Sequence, residues 1–245
     1  MASIEAKEET IEENGLKVKF QYGEFAPFLR DLNKHLSEAQ KHSANEIQSK
    51  MIEDYLEHFR TGCMTKHIDS QKQWIQDKGP IIETNIGFIE SYLDPLKIRA
   101  EFEGFVAVVN QEESIILNKL VEGANTTLKY LTWGEAFECD IFRKPDFTSL
   151  DVLAFASSGI PIGINIPNYD EVREHLGFKN VNLGNAYGKP TLESLQYIAE
   201  NEKETHLKYS NPSLFVLVAL HELLGHGSGK LHNEIPKFPS PLDGK

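Results

Sequence analysis

N-P-S-L-F-V-L-V-A-L-H-E-L-L-G-H-G-S-G-K, from Asn211 to Lys230, has the marks of a helix with a defined beginning and end. Asn211 can accept the first free N–H groups, Pro212 suits the first helical position, and Gly227 and Gly229 supply a stop. Seven consecutive apolar residues, Leu214 to Leu220, cover every side of such a helix, which places it in the interior. Apart from Asn211 and Ser213, its polar side chains are His221, Glu222 and His226. Two imidazoles and a carboxylate buried within two turns are costly unless they pair or hold a metal.

The arrangement is H-E-x-x-x-H, one residue longer than H-E-x-x-H, whose histidines lie about 40° apart around a helix and share one zinc ion while the glutamate polarises a water. A separation of five turns the rings about 140° apart in an ideal helix. Both rings reach one ion only if the extra residue is absorbed in a single-turn π-bulge, and Gly225 is the residue best able to take up that distortion. Two hydrogen-bonded histidines near a helix end remain the plain alternative. Glu222 points about 100° away from His221, which suits a general base better than a ligand. The G-S-G-K that follows is not a phosphate loop, because its glycines follow a helix instead of opening one.

Around this helix the composition is that of a globular protein: 245 residues, 40% hydrophobic and 25% charged. That suffices for one large domain or two small ones. A net charge of −12 and a pI near 5.2 argue against a nucleic-acid or anionic-membrane partner, which would select a basic face. Two cysteines, Cys63 and Cys139, are too few for a disulfide framework and fit a reducing compartment. The acidic start lacks the regions of a signal peptide, and no apolar run reaches membrane-spanning length, so a cytoplasmic location is expected.

Residues 1–15 read as an acidic, frayed end. Phe25, Phe28, Leu29, Leu32 and Leu36 fall at helical spacing, as do Ile47, Met51, Ile52, Tyr55 and Phe59, with Ser43 as the cap of the second helix; a third helix runs from about Met64 to Trp74. The aromatic and Met positions of these helices are expected in the core. Beyond the break at Lys78-Gly79-Pro80, Ile81–Tyr92 and Glu101–Val109 read as strands. Glu112–Leu131 returns to helical spacing, and Leu150–Phe155 suggests one or two more helical turns. Ser157–Asn168, with Pro and Gly between its isoleucines, reads as an edge strand able to pair with an extended peptide. A short helix at Tyr169–Gly177, a loop at Val181–Gly188 and a charged helix from Lys189 to Tyr209 complete the chain. The class is α+β: a helical segment 1–80, a β-rich segment 81–168 and a helical segment 169–245 with the motif helix.

H-E-L-L-G-H at His221–His226, followed by G-S-G-K, resembles the signature of the dipeptidyl-peptidase III family of zinc aminopeptidases. W-I-Q-D-K-G-P (Trp74–Pro80), G-F-I-E-S-Y-L-D-P (Gly87–Pro95), E-F-E-G-F-V-A-V-V-N (Glu101–Asn110), D-F-T-S-L-D-V-L (Asp146–Leu153) and S-G-I-P-I-G-I-N-I-P-N-Y-D (Ser158–Asp170) resemble it too, in order and over nearly the whole chain. The resemblance implies a two-lobed metallopeptidase that releases dipeptides from short peptides, with one zinc ion per chain. It makes His221 and His226 metal ligands and Glu222 the general base. It makes Glu90, Tyr92, Asn165 and Asn168 the residues that hold the peptide's N-terminal end, with Glu103 as a further contributor. The third ligand it implies is a glutamate on a later helix, whereas Gly227–Lys245 reads as a proline-rich loop. The chain thus reads as a central fragment.

Two other readings follow. The chain can be a non-catalytic peptide-binding or regulatory product without a complete metal site. Alternatively, His232 completes the site, since His226-Gly-Ser-Gly-Lys-Leu-His232 matches the tail of metzincin peptidases.

Overall fold

The structure is a computed structural model and describes residues 3–230. It opens with a hairpin, β1 (Glu8–Glu13) and β2 (Leu16–Gln21), in place of the expected frayed end. Asn14 and Gly15 take left-handed φ values of 49° and 78° between the strands, the two-residue turn that an Asn-Gly pair favours. Salt bridges Lys17–Glu12 and Lys19–Glu8 link the strands on their charged face.

Three helices follow: α1 (Ala26–Gln40), α2 (Glu46–Thr61) and α3 (Met64–Gln76). Their periodic apolar positions meet the sheet through Leu29, Met51, Tyr55, Phe59 and Trp74. Phe25, Phe28 and Met64 do not join that core; Phe28 is 74% exposed. The cap of α2 is Asn45, not Ser43: its Oδ1 accepts from the Gln48 N–H at 2.8 Å. Replacing Asn45 with alanine is expected to lower stability by about 1 kcal/mol, read as a lower denaturant midpoint with unchanged slope.

Next come β3 (Ile82–Phe88), β4 (Phe102–Asn110), α4 (Gln111–Thr127), β5 (Asp146–Ala156), β6 (Gly163–Ile166), α5 (Asp170–His175), β7 (Lys179–Leu183) and α6 (Lys203–Leu220). The sheet order is β3-β4-β5-β7-β6, with β5 and β7 parallel and every other pair antiparallel. The α+β class holds. Leu150–Phe155 is strand rather than helix, because β5 is a central strand paired on both sides. Val181–Gly188 is not simply a loop, since β7 begins before it and all five of its residues are buried. The sheet therefore extends past residue 168. Val181 and Leu183 join the core under the three helices, while Phe147 joins a second core with Leu117, Val121, Ala219 and Leu223 on the opposite face.

The motif helix starts earlier than its Asn-Pro pair suggests, at Lys203, with Pro212 inside α6. The segment before it forms two short 3-10 turns, Leu192–Leu195 and Glu200–Glu202, rather than one charged helix. Nor does α6 run through the interior: Ala219 is buried against α4 and Val218 beside Gly163 of β6, but Val216 is 52% and Leu217 63% exposed. Among the described residues no helix is long and apolar enough to cross a membrane.

Candidate metal centre

The spacing problem in H-E-x-x-x-H is solved as the sequence requires. His221–Gly225 is a π-helical turn continuing from α6, and the His226 N–H donates to the His221 carbonyl, five residues back, at 3.0 Å. The wider turn brings the two rings to one side, with centroids 4.7 Å apart and planes at 84°. Gly225 is not what makes this possible, because a Cβ there would meet nothing within 4 Å. The confined glycine is Gly227, where a Cβ would strike the Leu223 carbonyl and lie 2.7 Å from the Phe178 ring.

The Nε2 atoms of His221 and His226 are 3.1 Å apart. Two imidazole nitrogens on a tetrahedral zinc, each about 2.0–2.1 Å from the ion, are roughly 3.3 Å apart, so the pair fits this metal. Both rings are exposed, contrary to the expectation of buried imidazoles; Glu222 is the buried member, at 5% exposure. Donor atoms of the three residues lie within 4.8 Å of one another. Burial pushes the Glu222 carboxyl up to about 7. Its Oε2 has no hydrogen-bond partner among the described residues, while a Cβ on Gly163 would stand 2.5 Å from Oε1. A bare edge strand at Gly163 is thus what lets this carboxylate fit. Partial desolvation of the ring's inner side, with His221 and Arg173 nearby, lowers the His226 pKa and favours the neutral imidazole, the form able to bind a metal.

Glu90, Tyr92, Glu103, Asn165 and Asn168 line the same cavity of about 510 Å³ as His221, Glu222 and His226. Asn168 Nδ2 donates to Glu90 Oε1 at 3.0 Å. Asn165 is largely buried and fully engaged: Nδ2 donates to Asn180 Oδ1 at 2.5 Å and to the Glu222 carbonyl at 3.0 Å, and Oδ1 accepts from Arg173 Nη1 at 2.6 Å. Burial, reinforced by Glu90 and Glu101, raises Glu103 to about 7; burial and the same acidic group raise Tyr92.

Two participants escaped the sequence reading. Glu101 lines the cavity and was detectable, since it precedes Glu103 by two positions and a strand puts both on one face. Arg173 gave no such signal, because a basic residue in the last turn of a short helix reads as solvated surface. His232 lies outside the described residues.

A model of peptidase family M49 matches residues 1–237. The dipeptidyl peptidase 3 of Rattus norvegicus is 49% identical over 234 residues, covering 94% of this chain and 32% of its own length. The Homo sapiens protein of that name is 48% identical, with the same 94% and 32% coverage. The chain therefore spans about a third of these relatives' length. The structure of dipeptidyl-peptidase III from a Corallococcus strain superimposes with a TM-score of 0.72 over 93% of this chain and 43% of that one, at 22% identity. That from Caldithrix abyssi gives 0.60 over 73% and 35%, at 25% identity. On the match of its sequence over nearly its whole length, the chain belongs to peptidase family M49.

Proposed function

We propose that this chain carries the metal site and the amino-terminal recognition site of a zinc-dependent dipeptidyl-peptidase acting on short peptides. One observation supports this above the others: the π turn sets two imidazole nitrogens 3.1 Å apart on the wall of a cavity that also holds, besides Glu222, three carboxylates, Glu90, Glu101 and Glu103. His221 and His226 would hold the ion, and zinc, when bound, supplies a Lewis acid that polarises the scissile carbonyl. The peptide's ammonium group sits among the three carboxylates, with Asn168 holding Glu90 in place. Its main chain pairs with β6, whose outer edge has no strand partner among the described residues. The span from that ammonium site to the metal counts off two residues. Glu222 takes the proton of the attacking water and passes it to the leaving amine.

A second reading, a peptide-binding chain without catalysis, is favoured by one fact: among the described residues no third metal-binding side chain joins the two histidines apart from Glu222 itself. Zinc calorimetry on the 245-residue chain separates the two. The expected result is one ion per chain, with His221→Ala weakening affinity by more than the roughly 10–100-fold that outer-shell changes cost. His232→Ala in the same experiment identifies or dismisses that residue as a ligand. A folded chain that takes up no zinc would end the catalytic reading and leave the binding one.

A further inference from the structure

We propose that Arg173 is a positioning residue that locks the peptide-recognition edge to the metal motif, and so fixes the distance between the peptide's ammonium group and its reacting carbonyl. The proposal rests on the function proposed above.

Arg173 lies in α5, outside both the edge strand and the motif turn, yet its guanidinium joins them. Nη1 donates to Asn165 Oδ1 at 2.6 Å and to the Pro167 carbonyl at 3.0 Å, and Nη2 donates to the His226 carbonyl at 3.0 Å. Its central carbon lies 4.8 Å from the centroid of the Phe178 ring, the ring that also walls in Gly227. The side chain is therefore held on its face as well as at its ends.

Every one of those acceptors is a neutral oxygen. Asp170 acts on this guanidinium only at a distance, and what the planar fork itself does is define the relative positions of its three carbonyl acceptors. Two of the acceptors belong to Asn165 and Pro167, next to Asn168, which holds Glu90; the third belongs to His226, whose ring faces the metal position. A direct hydrogen bond between edge and motif, Asn165 Nδ2 to the Glu222 carbonyl, depends on the same amide being held the right way round. Arg173 settles that orientation, because a guanidinium can donate only to the amide oxygen. Misplacement of reacting groups by about 1 Å is worth roughly 10²-fold in rate, which sets the size of the effect.

The test compares the 245-residue chain with Arg173→Lys, which keeps the charge and loses the fork, and Arg173→Gln. Amide hydrogen exchange is followed first. Both variants are expected to exchange at least about ten times faster at β6 and at Gly227–Ser228 together, with α2 and α3 unchanged. Faster exchange confined to α5, or spread evenly through α2 and α3, would overturn the proposal. Kinetics come second: kcat for dipeptide release is expected to fall about 10²-fold with KM within about three-fold and one zinc still bound. A fall in zinc stoichiometry or a change carried by KM alone would also overturn it. If the parent chain binds no zinc, the functional reading fails by that result, while the exchange pattern still decides whether Arg173 couples the two elements.

Discussion

Glutamine in place of Glu222 is expected to lower dipeptide release about 10³-fold, within the 10²–10⁴-fold range of a well-placed general base. The substitution keeps the side chain's volume, so the close approach of its Oε1 position to Gly163 is unchanged. The Asn165 bond is made to the Glu222 backbone carbonyl and survives. Zinc affinity, set by the two imidazoles, is expected to stay within about three-fold, because an amide does not remove a nitrogen ligand. Rate and affinity thus separate. Single-turnover release and calorimetry on the same preparations check this, and a variant that still turns over at a tenth of the parent rate would assign the proton transfer to another group. In Asp form, Glu222→Asp shortens the reach by one methylene and is expected to fall between the two.

The second large effect is on stability, at Lys179. Its ammonium group is wholly buried and donates to Glu83 Oε2 at 2.8 Å and to the Asp77 carbonyl at 2.7 Å, with the Trp74 ring 4.8 Å away. Trp74 Nε1 donates to the other Glu83 oxygen at 2.6 Å. Lys179→Met leaves a buried carboxylate with a single donor, and removal of one partner from a buried pair costs about 3–5 kcal/mol. Removing both charges of the pair, Lys179→Met with Glu83→Gln, is expected to recover part of that loss, since a carboxamide needs no counter-ion, while Asp146, whose Oδ2 lies 3.9 Å from the same ammonium, still loses its partner. Denaturant midpoints of the two variants measure the difference. Equal stability of the single and double variants would show that the pair contributes nothing through its charge.

Legibility of the fold followed how local its determinants are. The apolar spacing in α2 and α3 specified those helices because each turn's partners lie within the same few residues. β7 was misread because Lys179, Asn180 and Asn182 look solvated, and what permits their burial lies far away: Glu83 is 96 positions from Lys179. Strand β5 carries apolar residues on both faces, so the alternation that marks a half-buried strand is absent. Pro212 resembled a helix start because proline is most at home there, yet α6 runs through it. At the site, the odd histidine spacing demanded a π turn and the structure has one. The residues that resemblance attached to the peptide share a cavity with those histidines, which is the grouping on which the proposed roles depend. Arg173 stayed hidden because its meaning lies wholly in three acceptors from other elements.

The strand order also dictates a sequence of events. β6 precedes β7 in the chain, yet among the described residues its only partner in the sheet is β7, and β7 in turn reaches the sheet only through its parallel pairing with β5. As the chain leaves the ribosome, β6 therefore has no strand of this sheet to pair with until Leu183 has emerged and β7 has docked. Parallel pairing over such a crossover is slow. The edge strand β6 is thus among the last parts of the sheet to form, and during that interval Gly163–Ile166 is an unpaired strand, open to mispairing with a neighbouring chain.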